Sequence, residues 1–170
     1  MVDPVMSGPV QLAYAVSDAR EAAAGWVPVG IGPFFISEHI ELGATRINGQ
    51  TATFDHSSAY AWWGDTMFEL ICQHDDRSGG PRIVGTSGLH HVAHFVDDLE
   101  VVSAGLIADG HAEVLRAETR GGVGFAMHDG GAAREHLIEI YERSAGLQRF
   151  YDMVRDASIN WDGSNPLRTL

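Results

Sequence analysis

The chain states one unit twice. Gln11-Leu-Ala-Tyr-Ala-Val-Ser-Asp18 and His91-Val-Ala-His-Phe-Val-Asp-Asp98 share one pattern, an alternating strand run that ends in residues able to cap a helix. Gln11 falls at the position of His91, an offset of 91 − 11 = 80. Side chains on a strand alternate faces, so Gln11, Ala13 and Ala15 point one way, as do His91, Ala93 and Phe95, while Val92, His94 and Val96 point the other. Neither copy can bury both faces of its own sheet, and this predicts two modules that share a core.

The rest of each module follows from local signals. In the first, Val10 to Val16 is a strand, Ser17 and Asp18 cap a helix from Ala19 to about Trp26, and Pro28 stops it. A strand follows from Phe34 to Ile40, then a turn region around Ala44 to Gly49, then Ser57 to Trp63 and Thr66 to Gln73 joined by Gly64-Asp65, a two-residue hairpin connection. In the second, a strand to Val96 precedes a helix from Leu99 to about Ala108, and strands follow at Glu113 to Ala117, Val123 to His128 and His136 to Glu142. Both halves read β-α-β-β-β. The expected division is a lead-in over 1–9, modules over 10–73 and 88–143, a charged and then glycine-rich linker over 74–87, and an extension over 144–170. Within that extension, Leu147, Phe150, Tyr151 and Val154 mark a helical face that could cover the site or pack on a partner subunit.

Composition limits the partners. All eleven basic residues are arginines, and against 23 acids they leave a net charge of −12, which repels phosphate backbones, so no nucleic-acid partner is expected. The apolar runs are far shorter than the roughly 18 to 20 residues of a membrane helix. No membrane partner and no secretory signal are expected, and the single cysteine, Cys72, suits a reducing compartment, so the expected location is cytoplasmic.

The closing strand of the second half, Leu137-Ile-Glu-Ile-Tyr-Glu142, echoes Met67-Phe-Glu-Leu-Ile-Cys72, with Glu139 in the place of Glu69. With His91 opening the second unit and Glu139 in its last strand, residues 10 to 143 resemble the vicinal oxygen chelate superfamily, which includes glyoxalase I, methylmalonyl-CoA epimerase, extradiol dioxygenases and bleomycin-resistance proteins. The resemblance implies an α+β fold in which the two tandem βαβββ modules curl into a mixed sheet cup around a divalent metal. It also implies a homodimer. Carried over residue by residue, the metal positions are Gln11, Glu69, His91 and Glu139. Glyoxalase I is similar at all four. Methylmalonyl-CoA epimerase differs at Gln11 and Glu69, although the Gly32-Pro-Phe34 after the first helix is closer to epimerase-like members.

The residues support this site on physical grounds. Polar side chains inside otherwise apolar strands cost several kcal/mol unless compensated, and coordination would compensate them. The small alanines beside them leave room for a substrate. Two carboxylates balance a divalent ion, and one imidazole with oxygen donors suits Zn, Ni, Co or Mn alike. If Gly64-Asp65 is a two-residue turn, Tyr60 stands opposite Glu69 and Trp62 opposite Met67, which puts an aromatic wall beside the metal, extended by Phe95, Phe125, Met127 and Tyr141. His90 and His94 face away and read as hydrogen-bonded structural or surface histidines. His39, His56 and His74 have no spacing partner, and Cys72 faces away from Glu69 as a packing residue.

The expected function is proton abstraction next to a carbonyl through an enolate or enediolate, by an isomerase, an epimerase or a glyoxalase-type lyase. Glu139 and Glu69 are the candidate bases. The substrate is a small, apolar or aromatic oxygenated compound or thioester. Two alternatives come from other classes, an extradiol dioxygenase, against which Gln11 argues because that chemistry takes two histidines and one carboxylate, and a metal-free small-molecule-binding protein of the bleomycin-resistance kind.

Overall fold

The computed structural model describes residues 6–75 and 80–170, so residues 1–5 of the lead-in and 76–79 of the linker lie outside the described residues. In chain order the elements are β1 (Gln11–Ala15), α1 (Ala19–Trp26), β2 (Phe34–Ser37), β3 (Arg46–Ile47), β4 (Gln50–Thr51), β5 (His56–Trp63) and β6 (Thr66–Gln73). The second half has β7 (Leu89–Val96), α2 (Leu99–Ala108), β8 (Glu113–Glu118), β9 (Gly124–His128) and β10 (Leu137–Glu142), followed by α3 (Ala145–Ser158) and β11 (Leu167–Thr169). The expected α+β architecture, tandem β-α repeats in a curled mixed sheet with a C-terminal helix, is the one observed.

The repeat is visible in the caps. The Asp18 side chain accepts from the Glu21 amide to start α1, and Asp98, 80 residues on, accepts from the Val101 amide to start α2. It is equally visible in the pairing, since β1 lies parallel to β6 and β7 parallel to β10, while β1 and β7 pair antiparallel and join the halves. The result is one eleven-stranded sheet in the order β11-β2-β5-β6-β1-β7-β10-β9-β8-β3-β4.

The offset between equivalent positions is 80 at the first strands and 139 − 69 = 70 at the last. The first module therefore carries ten more residues, and the β3–β4 hairpin lies in that stretch. Where a turn region was expected, Asn48 and Gly49 take left-handed φ of 49° and 77°, the geometry of a two-residue hairpin. This hairpin does not return to its own module, because β3 pairs with β8 on the far edge of the second.

Two further differences from expectation have local causes. The strand from Phe34 stops at Ser37, because His39 takes a left-handed φ of 51° and its amide donates to Ser57 Oγ rather than to a ladder. The last strand, β11, had no period to reveal it. It forms because Trp161 lies over Gly32, where a Cβ would come within 2.7 Å of the indole, and this seats the tail for parallel pairing with β2.

Helices α1 and α2 cover one face of the sheet through two apolar clusters, one of Ala19, Ala23, Phe34, Phe68 and Leu70 and the other of Leu99, Val102, Ala126 and Ile140. The inner face is filled from both ends. At one end Ile47, Phe54, Ile71, Val84, Leu115 and Met127 pack together, and at the other α3 brings Tyr151 and Val154 against Phe35, Met67 and Phe95. Polar residues occupy the middle. Among the described residues, no helix is long and apolar enough to cross a membrane.

Candidate functional site

The middle of the inner face is built by register. Ala13 on β1 has Glu69 as its partner on β6 and His91 as its partner on β7. One row along, Ala93 on β7 has Gln11 on one side and Glu139 on the other. The two alanines are fully buried and contribute only methyl groups, so the four longer side chains around them can lean together.

They do. His91 Nε2 lies 3.2 Å from Glu69 Oε2, 3.0 Å from Glu139 Oε2 and 3.2 Å from Gln11 Nε2, and Gln11 Nε2 donates to Glu69 Oε2 at 2.5 Å. Three of the four, Glu69, His91 and Glu139, line a cavity of about 440 Å³. Gln11 stands behind them, its Oε1 accepting from the hydroxyl of Tyr151 on α3 at 2.7 Å.

A second histidine fixes the state of the first. His90 Nε2 is 3.0 Å from the Ile83 carbonyl and so carries its hydrogen there, and burial, helped by the charge of His91, lowers the His90 pKa to about 4 and keeps the ring neutral. Its Nδ1 is then an acceptor, and His91 Nδ1, 2.8 Å away, must donate to it. The proton that His91 can lose is therefore the one on Nε2, facing the carboxylates. An imidazole held by its Nδ1–H with Nε2 turned inward is how metal-binding histidines are oriented.

The electrostatics follow from burial and charge. Burial alone would lower the His91 pKa, but the Glu139 and Glu69 carboxylates override it and raise it to about 10. Burial opposes the charge on Glu69, yet His91, 3.2 Å away, prevails and lowers its pKa. Glu139 goes the other way, raised by burial that His91 offsets only in part. Although 3.0 Å from His91 Nε2, Glu139 Oε2 is off the line of an N–H bond and has no hydrogen-bond partner among the described residues. Two carboxylates and one imidazolium leave the cluster one negative charge in excess. A divalent cation in place of the proton would leave none.

Four of the six aromatic and apolar residues expected at the pocket, Tyr60, Phe125, Met127 and Tyr141, line the cavity. Trp62 and Phe95 do not. The pairing of Tyr60 with Glu69 and of Trp62 with Met67 is as expected, but α3 lies over that end of the inner face and packs on both Trp62 and Phe95. Tyr60, Tyr141 and Tyr151 are all held well above the ordinary tyrosine pKa by burial and by the neighbouring glutamates, so their hydroxyls stay protonated.

Several lining residues had no signal in spacing. His56 stacks on Phe54 with ring centroids 4.4 Å apart, and burial keeps it neutral by lowering its pKa. Ser58 is fully buried next to this lining without belonging to it, its Oγ lacking a hydrogen-bond partner among the described residues. Both share strand parity with Tyr60 on β5, which would have placed them on the inner face. Arg120, exposed and 3.7 Å from Glu41, stands at the rim, and only the approach of two loops brings it there. His90 and His94 are bonded to backbone carbonyls of Ile83 and Ser7, and the Cys72 thiol donates to the Ser17 carbonyl on the other face.

No protein-family model matches the sequence, and no curated protein matches it in sequence. Solved structures do match in fold. Methylmalonyl-CoA epimerase from Mycobacterium tuberculosis is 14% identical over 88% of this chain and 95% of its own, with a TM-score of 0.51. A variant of the Streptomyces coelicolor epimerase in complex with 2-nitronate-propionyl-CoA is 13% identical over 83% of this chain and 97% of its own, also at 0.51. A hypothetical protein from Bacillus halodurans reaches 0.52 at 17% identity, covering 81% and 94%. The fold is shared with these epimerase structures. At these identities the likeness is one of fold. Within that fold, the cluster of Gln11, Glu69, His91 and Glu139 sits on the first and last strands of each module.

As the side chains stand, no group of three or more His, Cys, Asp and Glu among the described residues is arranged to hold a metal ion. The donors bond to one another, and Gln11 presents nitrogen rather than oxygen. The set nevertheless fits a divalent cation. His91 Nε2 stands 3.2 and 3.0 Å from the two carboxylates, and Glu139 Oε2 is buried without a hydrogen-bond donor among the described residues, an atom that a cation would satisfy.

Proposed function

We propose that this chain is a divalent-metal-dependent enzyme that moves a proton at a carbon next to a carbonyl, as an isomerase, epimerase or glyoxalase-type lyase. The observation that carries this reading is the convergence of Glu69, His91 and Glu139 at one wall of the 440 Å³ cavity, with separations and excess charge that suit a cation. Glu69, His91 and Glu139 would hold the ion directly, with Gln11 as fourth donor. When bound, Zn, Ni, Co or Mn supplies Lewis acidity to a substrate carbonyl and makes the neighbouring C–H acidic.

The chain's own residues do the rest. Glu139 takes the proton at its carboxylate oxygen, because it is the glutamate whose pKa burial raises and whose Oε2 is not tied by a hydrogen bond. Glu139, once protonated, gives the proton back to the substrate, and Glu69, held charged by His91, is the second candidate base, able to take a proton from the other side while protonated Glu139 supplies one. Tyr60, Phe125, Met127 and Tyr141 exclude water and orient an apolar or aromatic body, and the protonated tyrosine hydroxyls give it donors. The vicinal oxygen chelate fold supports an enzyme of this broad class. The working form is proposed to be a homodimer in the cytoplasm, with the modules bounded at 10–73 and 88–143.

The test is hydrogen exchange. Candidate ketones, thioesters and hemithioacetals are incubated with the protein in deuterated water, with and without each metal. Metal-dependent label at the carbon beside the carbonyl is the expected result. Tight binding of the same compounds with no exchange under any metal would instead favour the metal-free binding protein, and oxygen uptake with iron the dioxygenase.

A further inference from the structure

Gln11 is the one member of the cluster whose two ends differ in chemistry. Its nitrogen faces Glu69 at 2.5 Å and its oxygen faces Tyr151 at 2.7 Å. Tyr151 belongs to α3, outside both repeats, and is buried with its ring against Phe95 at a centroid distance of 5.1 Å. It thus touches the cluster from an element that the repeat does not supply.

The neighbours of the amide decide which way round it can lie. A carboxylate accepts only, so Glu69 requires the N–H end of Gln11, whereas the proton on His91 Nε2, 3.2 Å from the same amide nitrogen, is met only by the oxygen end. A cation between them requires the carbonyl end, which only an oxygen lone pair can satisfy. On the far side, an acceptor-only or donor-only group would oppose one of these two states. A phenolic hydroxyl opposes neither, because it can donate to the amide oxygen or accept from the amide nitrogen.

We propose that Tyr151 is the positioning residue of this site, and that its hydroxyl lets the Gln11 amide exchange ends when a cation enters, so that α3 completes the fourth donor. This rests on the metal reading above. In the structure Tyr151 donates to Gln11 Oε1 while Gln11 Nε2 serves Glu69. With a cation bound, Tyr151 accepts from Nε2 and the carbonyl is released to the ion. Tyr151 acts through Gln11 alone.

Cobalt(II) titration followed by absorption tests this in wild type, Tyr151→Phe, Gln11→Ala and the double variant, with Gln11→Glu, which presents oxygen at either end, as an isosteric second background. The phenylalanine ring keeps the packing on Phe95. Wild type binds cobalt, and Tyr151→Phe binds it about 10- to 100-fold more weakly, the range for loss of a group that orients a ligand. In the Gln11→Ala and Gln11→Glu backgrounds the same change has little further effect. Equal losses in all backgrounds would make Tyr151 an anchor of the helix and overturn the proposal, as would wild-type affinity in Tyr151→Phe. Wild type that takes up no cobalt overturns the metal reading itself, and the exchange of amide ends with it.

Discussion

Glu139 Oε2 lies 3.0 Å from His91 Nε2 without being hydrogen-bonded to it, whereas Glu69 Oε2, at 3.2 Å from the same nitrogen, accepts from Gln11. The two glutamates occupy equivalent strands, opposite Ala93 and Ala13, yet their surroundings differ. The Oε2 atom of one accepts a hydrogen bond and that of the other does not. Glu139→Gln should therefore keep most of the bound metal, since an amide oxygen still coordinates, while proton exchange falls by about 10²- to 10⁴-fold. Glu69→Gln should cost less. Exchange that survives the first substitution and vanishes with the second would reverse the roles.

His91→Ala removes the one imidazole of the four-residue cluster and leaves two carboxylates facing each other in a buried space. Metal stoichiometry, read by elemental analysis of protein purified without chelator, should fall to background. Unchanged stoichiometry would mean that the ion, if any, is held elsewhere.

The metal-free protein should have a stability optimum near pH 6.5 bounded by two neighbouring histidines. His91 is raised from 6.5 to about 10, so its contribution is full below about pH 6.5 and is lost as pH rises through 10. His90 is lowered to about 4, so its contribution is full above about 6.5 and is lost as pH falls toward 4. Urea midpoints measured in chelator across pH 4 to 10 should decline on both sides. In His90→Asn the acid decline should shrink, and a curve unchanged by that substitution would remove His90 as its source.

Cys72 offers a check on the other face of the sheet. Burial, reinforced by Asp18, raises its thiol pKa, and the thiol donates to the Ser17 carbonyl. Alkylation by iodoacetamide at neutral pH should be slow in the native protein and rapid in urea. Rapid native alkylation with one label per chain would show that the thiol is accessible after all.

Removing residues 159–170 should destabilise the protein even though no cluster residue is lost. That segment carries Trp161, which lies over Gly32, and β11, which covers the edge of β2. The expected outcome is a lower melting temperature and a tendency to associate through the exposed strand, read by calorimetry and light scattering.

The repeat made much of this legible. Alternation placed Gln11, Glu69, His91 and Glu139 on one face, the helix limits of α1 and α2 followed from Asp18 and Asp98, and the Gly64-Asp65 turn fixed the partner of every residue on β5. What stayed hidden depended on contacts between distant segments. Trp62 and Phe95 had the right parity for the cavity, but no periodicity shows where α3 comes to rest. His56 and Ser58 share the parity of Tyr60 on β5, but a single polar residue on a strand has no partner in spacing to mark it. Arg120 and Tyr151 reach the site from a loop and from the extension, and their places depend on tertiary packing alone.

The pairing of β3 with β8 bears on the order in which the protein can be made. Arg46 and Ile47 find their partners at Arg116 and Leu115, so a hairpin synthesised early has no ladder to join until about seventy further residues have left the ribosome. During that interval Ile47, which ends fully buried, lacks the part of its core that Leu115 and Met127 supply. The nascent first half is thus an unfinished object, and the two halves expressed as separate polypeptides should regain the fold only when mixed.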